Sequence, residues 1–201
     1  MSQENVEAVR QRLSLRERSA RRRTLVQRLA VRVPWFAQLG MRLIARLSPT
    51  SRLRQALLLR AVQDGFEASN RGDLEVVVMG YHPDVELHQP PGVGDSGELG
   101  FQPTYRGHQG YREFQAHWLS AWDEVLLEPQ ELIDLGDRFL VLIRATVRGQ
   151  ASGVSVTQSM AVLYTFHTNG RIIREQRYLD HAEALEAVGL SKTWSNARPG
   201  A

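Results

Sequence analysis

An α+β fold, with helices packed across one face of a strongly curved antiparallel sheet, is predicted by two features of the chain. Apolar residues recur at helical spacing through most of the first 122 positions, interrupted by one strand. Four long alternating runs then occupy roughly residues 125–180, each separated from the next by a glycine-containing turn. Helices first and a strand meander afterwards is an α+β order, and such a sheet curving under its helices leaves a cone-shaped cavity.

The 201 residues suit one domain plus an appendage. Apolar content of 42% and charged content of 23% are ordinary for a globular chain. With no cysteine, disulfides, thiolate nucleophiles and cysteine-ligated metals are excluded. The polar start, "MSQENVEAVR", lacks a secretory h-region, and no apolar run reaches the ~20 residues of a spanning helix, so the cytoplasm is the default location. Charge is uneven. Residues 1–60 hold 14 Arg against three Glu, a net of +11 in a chain of net +3, which leaves −8 for residues 61–201.

In chain order, residues 1–23 read as helix-prone and polar. Leu25, Leu29 and Val33, then Phe36, Leu39, Leu43 and Leu47, predict two short amphipathic helices broken at Pro34. Residues 1–50 thus form a basic helical extension, residues 51–190 the domain, and residues 191–201 a frayed tail. Ser51 caps a helix over about 52–69, Gly72 closes it, and Asp73 caps a short helix through Met79. A strand follows at 84–89, then a Gly-rich loop to about Thr104 and a helix over 107–122. Strands are expected near 125–135, 138–148, 153–167 and 171–180, with Asn169-Gly170 the strongest hairpin signal. "AEALEAVGL" forms the last helix, closed at Gly189.

Gly92-Val-Gly94-Asp-Ser-Gly97 matches the dinucleotide-binding spacing but no helix follows it, so it reads as a flexible loop and no cofactor is expected. Asp84, Glu86 and His88 share a strand face, yet the histidines lack paired ligand spacing and a polar face is usually solvated; no metal is expected. Arg144 follows Leu140 and Leu142 on its own strand face, which fits either an arginine at the inner end of the cavity or one at a solvated rim. Glu175 and Arg177 share a face of the final strand. For the basic extension three readings are open: packing on the domain or a partner subunit, which ranks first; peripheral membrane contact through residues 24–47; and nucleic-acid binding, weakest because no recognisable module accompanies the charge.

The blocks "RAVQDGFEASNRGDLEVVV…HPDVELHQP", "YRGHQGYREFQAHW", "ELIDLGDRFLVLIRATVRGQASGV" and "NGRIIREQRYLDHAEALEAVGL" together resemble the SnoaL-like branch of the NTF2-like (cystatin-like) superfamily over about residues 60–190. The resemblance implies a helix-and-sheet cone, often a homodimer, whose members include polyketide cyclases, ketosteroid isomerases and limonene-1,2-epoxide hydrolases. In ungapped register, the isomerase base falls at Leu87 and its two donors at Gly65 and Val162, none able to do that chemistry. The hydrolase arginine falls at Arg144, but its two acids fall at Thr146 and Arg177; a shifted register brings in Glu175 or Asp180. The expectation is a small, mostly apolar molecule bound by Leu87, Trp118, Met160, Val162 and Arg177, with Arg144 and Glu175, or His88 as base, for any cofactor-independent catalysis. A non-catalytic binding or dimerisation module is the alternative.

Overall fold

The computed structural model describes residues 8–13, 22–90, 93, 101–150 and 153–190. Gly92, Gly94, Gly97, the Phe36 side chain and the tail from 191 lie outside the described residues. The elements are β1 (Val9–Arg12), α1 (Leu25–Arg32), α2 (Pro34–Arg46), α3 (Arg52–Asn70), α4 (Leu74–Met79), β2 (Tyr81–His88), β3 (Thr104–Arg106), α5 (Gly107–Ala121), β4 (Trp122–Asp134), β5 (Arg138–Gly149), β6 (Ser155–Phe166), β7 (Ile172–Tyr178) and α6 (His181–Ala187). Thr24, Ser51, Asp73 and Asp180 accept backbone N–H bonds at the starts of α1, α3, α4 and α6.

One seven-stranded sheet runs β1-β4-β5-β6-β7-β2-β3. All neighbours are antiparallel except β2 and β7, which run parallel and place Leu87 beside Glu175. The helical reading of residues 1–23 is corrected at Val9–Arg12. That segment pairs with Glu131–Asp134 and covers the exposed edge of β4, fixed by a two-pronged Arg10–Glu131 ion pair at 2.7 and 2.5 Å.

Alternation along β5 supplies two cores, one on each face. Phe139, Val141, Ile143 and Ala145 face the helices α3, α4 and α5, within the larger cluster. Leu140 and Leu142 face the other way and are buried with Ala184, Leu185 and Val188 of and just after α6. The helices also need a fixed distance from the sheet. Gly170, in the β6–β7 hairpin turn at φ +88°, lies so close to α2 that a Cβ there would sit 2.5 Å from the Arg42 nitrogen.

Arg54 joins these parts. Its fully buried guanidinium donates to both Asp134 oxygens at 2.6 and 2.7 Å, to the Ile44 and Leu47 carbonyls at 2.6 and 2.9 Å, and to the Gly136 carbonyl. The end of α2, the start of α3 and the β4–β5 turn therefore share one cation. Arg54→Leu should lower the unfolding free energy by about 3–5 kcal/mol in urea denaturation, because Asp134 is left charged and buried. The double variant Arg54→Leu/Asp134→Leu should lose less than the sum of the two single variants.

Candidate functional site

The concave face of the sheet and helices α1 to α5 line a cavity of about 1240 Å³ that is open to solvent on one side. Its sheet wall comes from alternate residues of β6, Met160, Val162 and Tyr164, with Phe139 and Ile143 of β5 beside them. Its helical wall comes from α5, where Tyr111, Phe114 and Trp118 recur at helical spacing and stack in sequence at centroid distances of 6.3 and 5.9 Å. Gly107 permits the sharp entry into α5: at φ +68°, a Cβ there would lie 2.9 Å from the Pro83 carbonyl.

A buried polar cluster lies in the wall between β2, β6, β7 and α5, while Gln27, Asp64 and Arg71 also line the cavity among the helices. Arg177 donates to Glu175 Oε1 at 2.8 Å from Nε, with Nη2 2.6 Å away, and its guanidinium stacks 4.0 Å from the centre of the Phe114 ring. Tyr81 donates its hydroxyl to the other Glu175 oxygen. Both oxygens of this buried carboxylate are thus engaged. Burial works against the Arg177 charge, but Glu175 and the neighbouring phenols outweigh it and raise its pKa. Burial, reinforced by the Glu175 charge, holds Tyr81, Tyr111 and Tyr164 protonated above the usual tyrosine range.

The structure brings together Glu175, Arg177, Trp118, Met160 and Val162, all on the cavity wall. It places Arg144 and Leu87, and the alternative acid–base candidates His88 and Asp180, elsewhere. Arg144 is exposed on the outer face, where it meets the Gln130 amide oxygen at 2.8 and 3.2 Å once that amide is turned toward it. Its two apolar predecessors, Leu140 and Leu142, are covered by α6 rather than by the cone. Leu87 is fully buried in the core and does not reach the cavity, because α5 packs over β2. His88 is engaged with Glu86 at 3.1 Å and Thr104 at 3.3 Å, off the cavity wall. Asp180 caps α6. With Arg144 and Arg177 on opposite faces of the sheet, the partial hydrolase triad does not assemble.

Sequence reasoning missed Tyr81 and Tyr164 as site residues. Tyr164 was within reach, since it has the same strand parity as Met160 and Val162. Tyr81 carries no local signal, because its partner Glu175 is 94 residues away.

The tyrosines generate a pH prediction. Their folded pKa values lie above the unfolded value of about 10, so the native state keeps protons that the unfolded chain releases. Stability should be full below pH ~10 and fall as pH rises beyond it. In a tyrosinate absorbance titration, at least three of the five tyrosines should ionise only as the protein unfolds; Tyr81→Phe should lower that number by one.

The model of the SnoaL-like domain matches residues 62–175, more than half of the chain. An NTF2-like protein of unknown function from Burkholderia pseudomallei K96243 is 30% identical, with a TM-score of 0.55 over 64% of this chain and 94% of that one. TerC, crystallised with polyporic acid, is 28% identical with a TM-score of 0.55, over 65% of this chain and 97% of that one. An NTF2-like protein from Burkholderia xenovorans LB400, at 24% identity and a TM-score of 0.50 over 61% and 88%, shares the fold. No curated protein matches the chain significantly. With its helices laid over a curved sheet in the NTF2-like manner, the chain belongs to the SnoaL-like domain family.

Proposed function

We propose that the protein binds a small, mostly apolar molecule in its cone, with an oxygen-bearing group of that molecule set against Arg177, Tyr111 and Tyr164. The observation that carries this reading is a buried cluster of Glu175, Arg177 and Tyr81 set into the largely apolar wall of a cavity of about 1240 Å³. A large apolar pocket with a few convergent polar groups is the usual form of a small-molecule site. The crystallisation of TerC with polyporic acid supports a ligand of this general kind. A cytoplasmic setting belongs to the same proposal.

The second reading is cofactor-independent turnover of that molecule, of isomerase, cyclase or hydrolase type. It is favoured by Tyr111 and Tyr164, two phenols on the cavity wall held neutral by burial, since O–H donors aimed at an oxygen that gains charge stabilise a transition state. Glu175 is a poor base while Arg177 and Tyr81 occupy both its oxygens. In this reading the carboxylate orients the donors rather than taking the proton.

A thermal-shift screen with polyketide-, steroid- and terpene-type compounds tests the site. A hit at about a hundredfold excess over Kd should stabilise wild type by about 2.7 kcal/mol. It should do the same for Arg144→Ala, whose side chain lies outside the cone, and fail with Val162→Trp, which sets an indole beside Arg177 and blocks the polar cluster. Stabilisation that requires Arg144, or that survives in a cooperatively melting Val162→Trp variant, would sink the assignment.

A further inference from the structure

We propose that the outward face of α1 and α2 docks the protein onto the surface of an anionic phospholipid membrane. Helix α1 is inverted relative to an ordinary packing helix. Gln27 and Ala30 are buried against the domain, Gln27 donating to Asp64, while Arg23 anchors the approach to α1 on Asp73 and Glu75. Leu25 and Leu29 point outward at 81% and 47% exposure. In α2, Ile44 is buried, whereas Trp35, Leu39 and Leu43, spaced four apart, are 64%, 56% and 42% exposed.

Arginines flank these stripes. Arg28, Arg32, Arg42, Arg46 and Arg52 are all exposed, and none of them forms an ion pair with an acid among the described residues. The sequence has no Asp or Glu between Glu17 and Asp64. An apolar stripe edged with arginine suits a helix lying in the headgroup region, leucines among the acyl chains and guanidinium groups on phosphates. No described helix is long and apolar enough to cross a membrane, so the contact is with the surface.

Other occupants satisfy only half of this face. A second copy offering the same surface brings arginines against arginines with no acid between them. Nucleic acid takes the arginines and leaves the leucines in water. Anionic lipid uses both. Leu39 and Leu43 also line the open side of the cavity, so Leu25, Leu29 and Trp35 are the part of the face that is independent of the cone.

Co-sedimentation of the full chain with vesicles of phosphatidylcholine, with and without phosphatidylserine, tests the idea. The protein should bind the phosphatidylserine vesicles selectively. Leu25→Ser/Leu29→Ser, at exposed positions and with an unchanged melting temperature, should weaken binding at least about tenfold. Arg28→Ala and Arg42→Ala should each weaken it on the order of fivefold. Absence of vesicle binding, equal binding to neutral vesicles, or binding indifferent to the leucine substitutions would overturn the proposal. So would a dimer that the same leucine substitutions dissociate without any vesicle binding, or salt-sensitive oligonucleotide binding in its place.

Discussion

Arg54 holds the molecule in register. A planar guanidinium presents donors in a fixed fork, and here every direction is used: one edge on Asp134, the others on the carbonyls that end α2 and on the β4–β5 turn. An unpaired helix C-terminus buried against a turn would leave carbonyls without donors. Arg54 supplies them, and Asp134 keeps the cation neutralised in a place with no water to do so. Because α2 also lies against the Gly170 turn, the distance between the helical layer and the sheet is set at two points. That distance is what leaves room for the cavity.

The polar cluster in the cone follows from the sheet order. Running β2 parallel to β7 sets Tyr81 next to Ile172 at one end of the pairing and Leu87 next to Glu175 further along. β6 lies on the other side of β7 and sets Tyr164 beside Glu175 and Val162 beside Arg177. A buried acid, its cation and the surrounding phenols thus arrive from three adjacent strands and α5. An isolated buried carboxylate would be costly to keep ionised; the Arg177 guanidinium on one oxygen and the Tyr81 hydroxyl on the other offset that cost. The result is a cluster rich in donors whose carboxylate, Glu175, is already occupied, which favours recognition of an acceptor oxygen over proton abstraction.

Much of this was legible in the residues, for physical reasons that also explain the failures. Proline, glycine and capping residues act locally, so Pro34, Ser51, Gly72, Asp73 and the Asn169-Gly170 turn marked the right places. Strand parity is local too, and it correctly put Glu175 and Arg177 on one face. Parity does not say which face is the cone, and the Arg144 expectation failed there: a sheet with a core on each side has two apolar faces, and Leu140 and Leu142 belong to the one under α6. Leu87 failed because depth in the core depends on which helix crosses the strand. Val9–Arg12 became a strand because an edge 120 residues away needed a partner. In α1 the apolar stripe was visible, but its direction was settled by Gln27, Ala30 and Arg23, which hold the helix by its polar side.

Everything proposed for the cone depends on its being an open, largely apolar cavity with Glu175 and Arg177 set into its wall. Diffraction from crystals under xenon pressure tests it without knowledge of any ligand, since dry apolar cavities take up xenon. The account predicts xenon sites against Met160, Val162 and Trp118, away from Arg177. A cone without xenon, closed by the side chains of α5 and β6 or filled with ordered water throughout, would contradict it.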